Sequence, residues 1–213
     1  GTFQVEMSLL TFLDYASVIV FAITGALVAS RAQLDLVGFA FIACLTAVGG
    51  GTVRDLLLDR NPIFWIAEPA YLGAAAAAAL ITFFTAHLLE SRLRTIIWLD
   101  SFALAVAVAA GAGVAISLGQ GPVITVLMGI VTGCMGGLMR DVVVGDVPVV
   151  LKQGELYVTA ALAGASTTVL VQTYLPDVPF ALIFGAAVTW ILRAGSIFFG
   201  WHLPVYKSAP PKK

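Results

Sequence analysis

Two stretches of this sequence place glycines beside a cation and an anion. One is Ala47-Val48-Gly49-Gly50-Gly51-Thr52-Val53-Arg54-Asp55, and the other is Gly133-Cys134-Met135-Gly136-Gly137-Leu138-Met139-Arg140-Asp141. Both interrupt apolar runs. An Arg or Asp at membrane depth costs roughly 3 kcal/mol or more unless it finds a partner or water. Glycine inside a helix costs about 1 kcal/mol relative to alanine, so three in a row predict a kink or an unwound turn. The chemistry on offer is cation handling. Carboxylates attract cations, and backbone carbonyls released from a helix can coordinate them where they line a cavity.

The elements that must position these groups are membrane helices. Of 213 residues, 60% are hydrophobic and 11% charged, against about 25% charged in soluble domains. The mean hydropathy is +1.01. A net charge of −1 with no basic patch gives no footprint for nucleic acid. Cys44 and Cys134 sit in apolar runs and read as small buried hydrophobes, not as a disulfide or metal site. No basic stretch precedes the first apolar run and no small-residue cleavage motif follows it, so that run is expected to be a retained span.

A spanning helix needs about 20 apolar residues. Seven spans are expected, over 9–30, 34–57, 70–89, 96–118, 123–144, 156–175 and 180–200. Ala74 to Ala79 suit close helix packing in the third. Phe64 and Trp65 suit an interfacial position. The tail over 201–213, with Lys207, Pro210, Pro211, Lys212 and Lys213, is expected to be disordered.

A shift of 86 positions pairs Arg54 with Arg140, Asp55 with Asp141, Gly50 with Gly136, Gly51 with Gly137 and Thr46 with Thr132. The same shift pairs Asp14 with Asp100, Gly25 with Gly111, Pro62 with Pro148 and Tyr71 with Tyr157. Spans one to three (about 9–89) therefore repeat as spans four to six (about 95–175). Three is odd, so the second copy enters from the opposite side. That gives one transmembrane domain with an inverted repeat, a site near the midplane and a seventh helix outside the repeat. Arg31, Arg92, Arg94, Lys152, Lys207, Lys212 and Lys213 fall on one side and Arg60 on the other. The C-terminus is then expected in the cytoplasm and the N-terminus outside.

Neighbours on a helix do not face each other. Arg54 is thus expected to pair with Asp14 at similar depth, and Arg140 with Asp100, which leaves Asp55 and Asp141 to face a watery path. A purely structural network of buried charges is the alternative. Gly129 and Gly133 read as packing positions, whereas Gly49, Gly50, Gly51, Gly136 and Gly137 read as functional breaks. Arg193 is expected to snorkel toward the cytoplasm. His87 reads as interfacial, and Asp59, Arg60, Asp146 and Lys152 as solvated loop charges. No nucleophile, metalloprotease or P-loop motif is present, which argues against an enzyme.

The Gly-Gly-Gly-Thr-Val-Arg-Asp segment with Asn61-Pro62-Ile63-Phe64-Trp65 resembles the prokaryotic trimeric intracellular cation (TRIC) channels, as does Gly-Gly-Leu-Met-Arg-Asp with Gly145-Asp146-Val147-Pro148. That bacterial family has also carried a glycine-transporter label. The resemblance covers almost the whole chain. It implies a homotrimer in the bacterial inner membrane with one pore per protomer, permeable to potassium and less selectively to sodium. No bound cofactor is implied, and the partners are membrane lipid, permeant ions and further copies of the chain. The pore would run between spans two and five, with Asp55 and Asp141 concentrating cations and Arg54 and Arg140 holding or obstructing the path. Met135 stands where a counterpart of Gly49 is expected, so the two halves need not open equally. A transporter of a small zwitterion such as glycine, with its carboxylate on a helix N-terminus or Arg, is the alternative. A structural membrane protein is another.

Overall fold

The computed structural model describes residues 2–89 and 91–207. Among the described residues every regular element is helical. In chain order these are α1 (Thr2–Arg31), α2 (Leu36–Leu57), a single turn α3 (Phe64–Ala67), α4 (Ala70–Thr85), α5 (Arg92–Ser117), α6 (Pro122–Val144), α7 (Val158–Tyr174) and α8 (Val178–Phe199). Short 3-10 turns follow α4 at Ala86–Leu88 and precede α7 at Val149–Leu151.

Local chemistry sets the ends. Asp35, Ser91 and Asp177 accept from the N–H groups of Gly38, Arg94 and Phe180 at 2.8, 3.3 and 3.0 Å, capping α2, α5 and α8. Pro122 opens α6, where its missing N–H has no helical partner to lose. Gly145 ends it with φ at +79°, a conformation that glycine adopts without steric cost.

Among the described residues six helices are long and apolar enough to cross a membrane, and the chain is an all-helical integral membrane protein. The sixth expected span is shorter than the sequence suggests. α7 has 17 residues, about 26 Å at 1.5 Å per residue. Leu156 and Tyr157 stay outside it because the Leu156 N–H donates to Ser196 Oγ on α8 at 2.9 Å. Phe64 and Trp65 also pack against the protein. Phe64 is buried, and the Trp65 indole donates to Thr52 Oγ1 at 2.9 Å. Residues 201–207 are exposed and outside any helix, and the rest of the expected tail, including Pro210, Pro211, Lys212 and Lys213, lies outside the described residues.

At the centre of the packing, α1 lies against α2, α4 and α5, and α5 against α1, α6 and α8. α2 crosses α6, and α7 packs on α6 and α8. Small residues carry these contacts: Ala22, Ala26 and Ala29 on α1, and Ala103, Ala107 and Ala109 on α5, are all buried. Without a hydrophobic drive between helices in lipid, such close approach supplies the attraction. It also brings the two glycine stretches together.

Candidate functional site

α2 and α6 meet at Gly50 and Gly136. A Cβ on Gly50 would collide with the carbonyl oxygen of Thr132, and one on Gly136 with that of Thr46. The threonines are turned away from the crossing. Their hydroxyls donate to the Ile42 and Met128 carbonyls at 2.6 and 2.7 Å and press on Gly25 of α1 and Gly111 of α5. Both helices run unbroken through their glycines, so the expected unwinding and release of carbonyls is absent. Close backbone approach is what these glycines supply instead. Gly49 and Gly51 admit the Met139 sulfur and the Phe64 ring, while Gly137 has room for a methyl group beside Arg140 and Tyr157.

A charge cluster flanks the crossing on each side. Arg54 Nη1 donates to Asp14 Oδ1 at 3.1 Å, and Arg140 Nη1 to Asp100 Oδ1 at 2.8 Å. These are the partners that matching depth predicts. The adjacent carboxylates, however, are held as well. Arg54 Nε reaches Asp55 Oδ1 at 2.9 Å, and Arg140 Nε reaches Asp141 Oδ1 at 2.8 Å. The rule that neighbours diverge describes Cβ directions; an Arg side chain is long enough to fold back across that angle where no water competes. Asp55 therefore does not face a watery path, and Asp141 borders only a small cavity. They are 0% and 4% exposed, and their second oxygens accept from the backbone N–H groups of Phe64 at 2.9 Å and Val149 at 3.0 Å. Arg60, expected to be solvated, also leans to within 3.5 Å of Asp55.

The two clusters differ in their outer contacts. Phe64 lies under the Arg54 guanidinium at 5.3 Å, and Nη2 of Arg54 has no hydrogen-bond partner among the described residues. Around Arg140, Nη1 also donates to Thr24 Oγ1 at 3.2 Å, and the Tyr157 hydroxyl donates to Asp100 Oδ2 at 2.7 Å. The duplicated position of Tyr157 is legible in the sequence. Thr24 is not, because its counterpart 86 residues on is Ala110. Arg193 does not snorkel. It is buried, paired with Glu155 and set 5.3 Å from the centre of the Tyr157 ring, because the segment before α7 brings it a carboxylate and a π-face.

Cavities open on both sides of the crossing. One of about 170 Å³ is lined by Asp14, Arg60, Glu68 and Tyr71, two carboxylates against one guanidinium. The other, about 60 Å³, has four cations, Arg31, Arg140, Lys152 and Arg193, against Asp100, Asp141 and Asp146. Beside Thr46, Gly50, Arg54 and Thr132, and sharing Asp14 and Phe64 with the first cavity, only about 10 Å³ is free, at the lower limit for one water. The helix crossing is thus tightly packed, with a polar cavity beside each charge cluster. Among the described residues no cluster of metal-ligating side chains occurs.

The family model described as glycine transporter matches the chain twice, over residues 11–87 and 97–173. The chain belongs to this glycine-transporter family. The two matches are themselves 86 residues apart, the offset of the glycine and Arg-Asp motifs. Family relatives include the UPF0126 inner membrane protein YadS of Escherichia coli K12, 36% identical, with 92% of this chain and 94% of that protein aligned. A UPF0126 membrane protein of Vibrio cholerae is also 36% identical, over 93% of this chain and 82% of its own length. Among solved structures, the TRIC trimeric intracellular cation channel orthologue from Rhodobacter sphaeroides superposes with a TM-score of 0.87 at 42% identity, covering 90% of this chain and 98% of that one. The family's solved relatives are channels and not enzymes, and this chain is likewise a non-enzymatic membrane protein.

Proposed function

We propose that this chain is a potassium-permeable cation channel, a homotrimer whose protomers each carry a pore between α2 and α6. The observation that carries this reading is the tight crossing at Gly50 and Gly136, with a polar chamber and a buried Asp–Arg–Asp cluster on either side. The 42% identical TRIC trimeric intracellular cation channel orthologue from Rhodobacter sphaeroides supports it. In this reading α1–α4 and α5–α7 are inverted repeats, α8 is a seventh span, and the C-terminus lies in the cytoplasm of a bacterial inner membrane. The double match of the family model supports the repeat.

In the closed state Arg54 and Arg140 hold the carboxylates and fill the space beside the crossing. Opening bends α2 and α6 at their glycines, where helix is least favourable, and draws the two backbones apart. Asp55 and Asp141 then raise the local cation concentration. Purified protein in a planar bilayer under a potassium gradient should give discrete currents that reverse near the potassium potential, altered by Asp141→Asn. The family description favours a second reading, transport of a small zwitterion such as glycine. Saturable, competable uptake of labelled glycine by protein that gives no current would replace the channel with a transporter.

A further inference from the structure

Arg193 lies beyond the duplicated part of the chain, yet it touches the chemistry of the second half. Its guanidinium pairs with Glu155 and faces the Tyr157 ring. Three residues further along α8, Ser196 Oγ accepts the N–H of Leu156. α8 thus holds Glu155, Leu156 and Tyr157, the three residues before α7. Tyr157 in turn donates to Asp100 Oδ2, and Asp100 Oδ1 accepts from Arg140. The counterpart tyrosine in the first half, Tyr71, has a different setting: it stacks on Tyr15 at 4.1 Å and meets the Phe64 ring edge-on at 5.0 Å.

We infer that Arg193, with Glu155, is a positioning pair through which the last helix keeps the Arg140 cluster in its closed arrangement, acting through Tyr157. This rests on the channel reading. Loss of the pair should change how often the pore opens, and Tyr157→Phe, which leaves every charge of the chamber in place, should do so without changing how much each opening conducts. With Arg193 gone, the Tyr157 ring loses its cationic cover, its hydroxyl is no longer aimed at Asp100, and Arg140 is freer to leave the closed position.

The test is a double-mutant cycle in purified full-length protein. Arg193→Gln and Tyr157→Phe are each expected to raise open probability roughly tenfold, the scale of one hydrogen bond to a charged group, with unitary conductance unchanged in Tyr157→Phe. The double variant should go no further than either single one, and Arg193→Lys should return most of the wild-type behaviour. Glu155→Gln, at the partly exposed end of the pair, should shift the same way and covers the case in which Arg193→Gln does not fold.

A second readout does not need current. Cys134 is buried in the same cluster as Tyr157. In a Cys44→Ser background, its modification by a small water-soluble thiol reagent should quicken severalfold in the same variants, again without adding in the double. Multiplying effects, or unchanged gating and labelling in folded variants, overturn the inference. A silent wild type with the expected labelling pattern overturns the channel reading and keeps the positioning role.

Discussion

Around Arg54, a guanidinium bridges Asp14 and Asp55 beside a chamber of about 170 Å³ and leaves one nitrogen without a partner among the described residues. Around Arg140, the same bridge to Asp100 and Asp141 gains a threonine, a tyrosine and, through that tyrosine, a residue of α8, beside a chamber of about 60 Å³. The bridge is common to both halves and the surroundings are not. Helix position is thus specified twice by one motif, whereas the ease of disturbing each copy is set by residues that the duplication does not share.

The largest difference should come from removing the cations. Arg140→Ala strands Asp100 and Asp141, both nearly fully buried beside a chamber of only about 60 Å³, and should cost about 4 kcal/mol, seen as loss of a monodisperse folded peak or a large fall in melting temperature. Arg54→Ala leaves Asp14 beside the wider chamber, where water can reach it, and should cost about half as much. Equal losses would erase the distinction between the halves.

Gly50→Ala and Gly136→Ala should instead match each other. Each drives a methyl into the opposite backbone carbonyl and should lower stability by about 2 to 3 kcal/mol in thermal unfolding in detergent. A mild effect at one and a severe one at the other would break the shared crossing. Next, Tyr157→Phe removes a hydrogen bond to a buried carboxylate and should cost about 1.5 kcal/mol, with Tyr71→Phe closer to neutral by the same assay. The smallest effect belongs to Thr24→Val, about 1 kcal/mol, because Arg140 Nη1 keeps its bond to Asp100.

Much of this was legible in the residues alone. The 86-residue offset and the depth of each charge were enough to pair Asp14 with Arg54 and Asp100 with Arg140. Three features were not legible, each for a physical reason. The reach of an Arg side chain to its own neighbour depends on the absence of water, which a residue spacing does not encode. Glycines inside a helix suit both a break and a close crossing, and only the partner helix decides which. The setting of Arg193 depends on Glu155, 38 residues away, at a position where the first half carries Pro69. Helix ends were read to within about four residues except at the start of α1, which begins at Thr2 where the span was expected from residue 9.

The unequal charge balance of the two chambers has a consequence for current. Carboxylates outnumber cations two to one in the lining at the Asp14 end, whereas at the Arg193 end four cations face three carboxylates and Glu155 pairs with Arg193 as well. If the chain conducts as proposed, its pore should act as a diode for cations. Flow that begins at the Asp14 end would draw on an enriched reservoir, and flow that begins at the Arg193 end on one that is not enriched. The current–voltage curve should therefore bend between identical solutions, and straighten as salt approaches 1 M and the screening length shrinks to about 3 Å.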